Sequence, residues 1–252
     1  MLISTSKIEG SRVHAQDGTI GKVATFLFDE EQWVLRYIVA KHGFLFSGGR
    51  VLLSPVSVTG TVGENDRAIR VGLTKEQIKN APPANLARPI SRRKEEQFHR
   101  YYQIPVYWGG AGLWGTAMTP MEAGTVSYEP APAEEPVAAD TDEFHLRSTE
   151  EVAGYRVEAQ GESVGTVSGF LIEDTTWAVR YLSVDMQDEY GGGKLFISPH
   201  WVDEISWIER KLKLDLPTKR LREMPTIGVQ DTLEREDEEK LHEFFGQPRY
   251  WK

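Results

Sequence analysis

The chain of 252 residues contains no cysteine. That excludes disulfides, thiol catalysis and cysteine-ligated metal, and it suits a reducing cytosol. Nowhere is there a run of about 18 apolar residues, the length a membrane-spanning helix needs. The opening "MLISTSKIEG" has neither the basic nor the apolar region of a signal peptide. The six histidines, His14, His42, His99, His145, His200 and His242, show no HExxH or HxH spacing, so no metal-ligating motif is present. A phosphate-cradling GxxxxGK(S/T) loop is missing too. Ser54 and Ser198 each precede a proline, without the glycine-flanked elbow that exposes a hydrolase serine. Asp185, Asp188 and Glu189 offer carboxylates to a hard cation but lack the spacing of a calcium loop. These absences lead to the expectation of a protein that is not an enzyme, with no metal, no directly bound cofactor and no small-molecule substrate.

Positive charge is also short. The net charge of −9 argues against nucleic acid as a partner. Residues 1–108 carry 15 basic and 10 acidic residues, residues 109–143 carry 7 acidic and none basic, and residues 144–252 carry 14 basic and 21 acidic. Halves of opposite sign suit different partners, or each other, because surface potential steers encounter. The alternative is unselected variation of solvated charge.

What the sequence has in abundance is itself. Shifted by 144, the second half lies on the first without a gap for over fifty residues, pairing Gly10 with Gly154, Phe26 with Phe170, Trp33 with Trp177, Arg36 with Arg180, Tyr37 with Tyr181 and Pro55 with Pro199. After a one-residue slip the match resumes in the tails "QFHRYYQIPVYW" and "KLHEFFGQPRYW". The period is too long for a solenoid and marks a duplicated domain: residues 1–108, a linker 109–143, and residues 144–252. Within each copy, β-forming runs such as "VATFLFD" and "WVLRYIVAK" are separated by glycine turns, and "RVLLSP" and "KLFISP" end at a proline that cannot donate to a ladder. Short strands with a small core per unit predict a small closed barrel. Two helices should follow in each copy, one over "TKEQIKN" or "TKRLREM" and one over "SRRKEEQFHRYY" or "EREDEEKLHEFF". The linker begins glycine-rich around Trp114 and continues as "EPAPAEEPVAADTDE", an extended tether. The fold class is therefore all-β with short accessory helices, two tandem small β-barrels joined by a Gly/Pro/acid-rich linker.

The order (D/G)-x-x-(I/V)-Gly-x-Val, acidic turn, "(L/V)RY(I/L)", glycine turn and "(L/I)SP" resembles the PRC-barrel family, over roughly 5–80 and 149–224. The second copy, with "GTVSGFLIEDTTWAVRYLSV" and "LEREDEEKLHEFFG", is most similar to the cytoplasmic domain of the photosynthetic reaction-centre H subunit. It departs from that subunit in lacking a transmembrane helix. The resemblance implies a cytoplasmic, membrane-peripheral structural or assembly subunit on a membrane-embedded complex, with any pigments and quinones held by that partner. It also implies two alternatives: a ribosome-maturation or RNA-processing adaptor, and a general stress-associated adaptor.

Candidate contact residues follow. Phe44, Leu45 and Phe46 sit at a hairpin tip flanked by Lys41 and Arg50, a composition suited to an anionic membrane surface or an apolar docking pocket, or to folding back over their own barrel. The basic cluster Arg92, Arg93 and Lys94 marks the first tail. Tyr107, Trp108, Trp114, Tyr250 and Trp251 would cap a barrel end or meet a partner. Arg36 and Arg180 are expected on a solvent face or paired with Asp29 and Asp174 across a hairpin. Phe98, Tyr101 and Tyr102 form a helical stripe that should dock on the barrel, with His99 and His242 at its edge, ring packed and tip wet.

Overall fold

Apolar residues on both faces of the longest strands draw each copy into a sheet covered on two sides. A computed structural model of the chain describes residues 1–42, 49–60, 68–84, 86, 90–128, 144–223 and 233–251, the side chain of His42 excepted. In the first half the elements are β1 (Leu2–Ser4), α1 (Thr5–Ile8), β2 (Arg12–Ala15), β3 (Gly18–Asp29), β4 (Val34–His42), β5 (Arg50–Leu53), β6 (Ala68–Arg70), α2 (Lys75–Lys79), α3 (Arg92–Tyr102) and α4 (Pro120–Ala123). The second half has β7 (Leu146–Ser148), α5 (Thr149–Val152), β8 (Arg156–Ala159), β9 (Glu162–Glu173), β10 (Val179–Met186), β11 (Lys194–Ile197), β12 (Val202–Ser206), β13 (Lys211–Leu214), α6 (Thr218–Arg222) and α7 (Arg235–Phe245), repeating the first except that β12 is added and α4 has no counterpart among the described residues. The protein is mostly β with a few short helices, as its sequence leads one to expect.

One sheet runs β5-β4-β3-β2-β6 with β7 added to β3; the other runs β11-β10-β9-β8-β13-β12 with β1 added to β9. The strand additions cross the repeats. Leu2, Ile3 and Ser4 pair with Glu173, Ile172 and Leu171, while Leu146, Arg147 and Ser148 pair with Asp29, Phe28 and Leu27. The compact units accordingly cut across the duplication: one holds Met1–Ser6, Thr149–Glu173 and Val179–Lys252, the other Lys7–Ser148 and Asp174–Ala178. In each, the long strand serves three neighbours, and bulges between Val23 and Thr25 and between Leu27 and Phe28 bend β3 to do so. Phe26, Leu27, Phe28, Leu35 and Ile38 fill one interior, and Phe170, Leu171, Leu182 and Phe196 the other.

The prolines act as expected. Pro55 and Pro199 stop β5 and β11 and open 3-10 turns, Pro55–Ser57 and Pro199–Trp201. The helices α3 and α7 both end on a left-handed residue, Gln103 (φ 53°) and Gly246 (φ 63°). The glycine-rich first part of the linker, residues 109–128, is folded. Trp114 is buried, and Thr119 and Glu122 close a capping box on α4. Residues 129–143, where the extended linker was expected, lie outside the described residues.

Candidate functional site

The helix α3 places Glu95, Phe98, His99 and Tyr102 at i, i+3, i+4 and i+7, one face. That face is laid on β4, and Glu95 is carried with it to 0% exposure. A carboxylate without water must be met by donors. Tyr107 donates to Glu95 Oε2 at 2.5 Å, Tyr37 Oη stands 3.0 Å from the same oxygen, and His145 Nε2 and Arg92 Nη1 reach Oε1 at 3.0 and 3.3 Å. His99 Nδ1 donates to the Pro105 carbonyl at 2.8 Å, which leaves Nε2 as the acceptor for Tyr37, 2.9 Å away. The single Tyr37 proton thus lies between an imidazole and a carboxylate. Arg36 stacks 4.0 Å from the Tyr107 ring and reaches Asp29 at 3.6 Å.

The second copy repeats the arrangement. Glu238 Oε2 accepts from Tyr250 at 2.6 Å and faces Tyr181 Oη at 3.0 Å; Arg235 meets Oε1 at 3.2 Å. Tyr181 Oη lies 2.8 Å from His242 Nε2, whose Nδ1 donates to the Pro248 carbonyl at 2.8 Å. Arg180 stacks 4.2 Å from Tyr250 and pairs with Glu173 at 2.6 Å. What differs is the second imidazole: Met1 occupies the repeat position of His145.

Burial, more than any neighbour, lowers the basicity of His99 and His242 below the ordinary imidazole value. Burial, and after it the adjacent glutamate, raises Tyr37, Tyr107, Tyr181 and Tyr250 above the ordinary phenol value. The two histidines are therefore neutral when folded and take up protons on unfolding below a pH of about 6.5. Their contribution to stability is complete above that pH and is lost as pH falls through the folded-state values. The acid limb is expected to steepen by at most about 2.7 kcal/mol per pH unit for two protons. Urea midpoints measured from pH 8 to pH 5 check this: His242→Gln should shrink the limb, and a flat wild-type profile would refute it.

Beside the second cluster, and within the same unit, opens a cavity of about 240 Å³ lined by Arg180, Ser198, His200, Trp201, Arg249 and Tyr250 among others. Among the described residues no group of three or more histidine or acidic side chains is placed to hold a metal ion, and no helix is long and apolar enough to cross a membrane.

The candidate contact residues divide. Phe44, Leu45 and Phe46 lie outside the described residues. Lys41 is exposed and Arg50, opposite it on β5, is half-buried. Arg93 is exposed and Lys94 half-buried. Tyr107 and Trp114, expected at a partner surface, are interior instead, Tyr107 bonded to Glu95 and Trp114 donating to the Thr176 carbonyl at 2.9 Å. Trp108 and Trp251 are partly buried, each under an arginine, Arg92 or Arg235, at 4.2 Å. Tyr250 is half-buried in its cluster. The histidines are not at a wet edge, since His99 and His242 are both buried. Arg36 takes the Asp29 pairing rather than the solvent face, and Arg180 takes Glu173 rather than Asp174. Glu95, Glu238 and His145 were not anticipated. The signal was present: in the tails, Arg92, Glu95, His99, Pro105 and Tyr107 recur identically as Arg235, Glu238, His242, Pro248 and Tyr250.

No model of a known protein family matches the chain, and no curated protein matches it.

Proposed function

We propose that the chain is a non-catalytic docking subunit of two PRC-barrel-type repeats. In its most concrete form it is an H-subunit-like component on the cytoplasmic face of a photosynthetic reaction centre, peripheral to the membrane. The observation that carries this reading is the use made of the ionisable groups. In both copies the glutamate, histidine and tyrosines that a catalytic site would need are turned inward, bonded to one another, and committed to holding α3 or α7 on its sheet. His99 is buried and hydrogen-bonded on both ring nitrogens, which leaves it no access to a substrate, and His242, which borders the cavity, is bonded on both nitrogens in the same way. The resemblance of "VRYLSV", the glycine turn and "ISP" to the H subunit supplies the partner class, and pigments and quinones then belong to that partner.

The test is isolation of the tagged full-length chain from host membranes under low salt. A pigment-bearing reaction centre should co-purify in fixed proportion to the chain. A reaction centre purified under the same conditions without the chain, or a host that makes no bacteriochlorophyll, would overturn the reading. Co-sedimentation with ribosomal particles would replace it by the maturation-adaptor alternative.

A further inference from the structure

The cavity beside Tyr250 has a filled twin in the same chain. Its lining residues Arg180, His200, Trp201, Arg249 and Tyr250 correspond by repeat position to Arg36, Val56, Ser57, Val106 and Tyr107. In the unit that contains the first copy, that surface is covered by residues 110–124. Arg36 donates through Nη1 to the Leu113 carbonyl and lies 5.1 Å from the Trp114 ring. Gly115 passes so close to the chain that a Cβ there would stand 2.7 Å from the Val106 carbonyl oxygen. A Cβ on Gly124 would stand 3.5 Å from Val56, and α4 packs on the turn Pro55–Ser57. The coverage combines one carbonyl for the arginine, one indole, and glycines where the backbone crosses the rim.

In the second copy the described residues bring no carbonyl to Arg180 and no glycine strap across the rim, and the one indole in the cavity wall, Trp201, stands at the position of Ser57 rather than over the arginine from a covering segment. Arg180 bonds only Glu173, and no carbonyl stands where Leu113 stands for Arg36. The cavity's 240 Å³ falls below the roughly 300–1,000 Å³ of small-molecule sites. Three of these positions differ: His200 and Arg249 each replace a valine, a polar ring and a positive charge where the first copy is apolar, and Trp201 replaces Ser57.

We infer that this groove receives, from a partner polypeptide, an extended glycine-flanked tryptophan segment of the chemistry of Leu113-Trp114-Gly115. Its carbonyl meets Arg180, its indole packs on Arg180 and Tyr250, and acidic residues beside it face His200 and Arg249. The inference rests on the docking-subunit reading and gives it a recognition element. The partner brings to the second copy what the chain brings to its first.

A fluorescein-labelled peptide of residues 109–126, "GGAGLWGTAMTPMEAGTV", titrated with the full-length protein and followed by anisotropy, tests this. Saturable binding is expected, weakened about tenfold or more by tryptophan-to-alanine replacement in the peptide, and as much by His200→Trp in the protein. His200 is exposed, so that variant fills the groove without disturbing the interior. No binding at millimolar peptide overturns the inference. So does binding that His200→Trp leaves unchanged, which would mean exchange with the covered surface of the first copy. If the peptide fails while the chain still co-purifies with the reaction centre, the groove assignment falls and the docking reading stands; if the peptide binds and no complex is recovered, the reverse holds.

Discussion

Glu95→Ala is expected to lower the free energy of unfolding by about 3–5 kcal/mol, the cost of removing one partner from a buried charged network. The carboxylate is the common acceptor of four side chains. Its loss leaves Tyr37 and Tyr107 sharing what acceptors remain, His145 Nε2 without its carboxylate, and Arg92 without the counter-charge at 3.3 Å. Each buried polar group left unsatisfied costs about 1–3 kcal/mol, and the carboxylate sits at a site that is 0% exposed, away from bulk water. The effect should exceed that of Glu238→Ala. Glu238 has no counterpart of His145 to serve, and its tyrosine partner Tyr250 is half-buried beside an open cavity from which water can reach it. Denaturant unfolding of the two variants side by side measures both. A loss under about 1 kcal/mol in Glu95→Ala would mean that the carboxylate is not what holds α3 on β4.

Much of this was legible in the sequence, and what was not has a physical reason. The strands, the proline stops and the two helices of each copy followed from alternation, glycine turns and helical spacing, because those signals are local. The additions of β1 to β9 and β7 to β3 were not visible, because Leu2–Ser4 and Leu146–Ser148 are equivalent by repeat and each fits either long strand equally well as a pattern. Period-2 alternation specifies a face, not which of two duplicated partners supplies it. The cluster was missed for a different reason. A glutamate in a helix's first turn reads as a solvated charge favoured by the helix dipole, and only its coincidence with Phe98 and His99 on one face, repeated at Glu238, argues for burial. Tyr107 and Trp114 misled in the opposite sense. Aromatic residues beyond a helix stop suit a partner surface as well as a lid, and the arginine that draws them inward, Arg36, stands some seventy residues earlier in the chain.

The crossing of strands between repeats carries the other large expected effect. Ile3→Asp should destabilise the sheet of the second copy by about 3–5 kcal/mol while leaving that of the first nearly unchanged. Ile3 is 3% exposed and lies opposite Ile172, so the substitution removes a packed side chain and buries a charge in its place. The neighbouring register pair brings Glu173, of the same sign, whose cation Arg180 is already bonded to it at 2.6 Å. The repeat-equivalent position in β7 shows what a charge there requires. Arg147 is tolerated because Glu30 meets it at 2.5 Å and a quarter of its side chain stays in water. Native-state hydrogen exchange separates the two possible partners of β1. If Leu2–Ser4 completes β9, protection should fall at Leu171–Glu173 and persist at Leu27–Asp29, the segment that β7 covers. Loss of protection at Leu27–Asp29 would show instead that each copy keeps its own first strand, and the variant would then destabilise the half of the chain in which it is encoded.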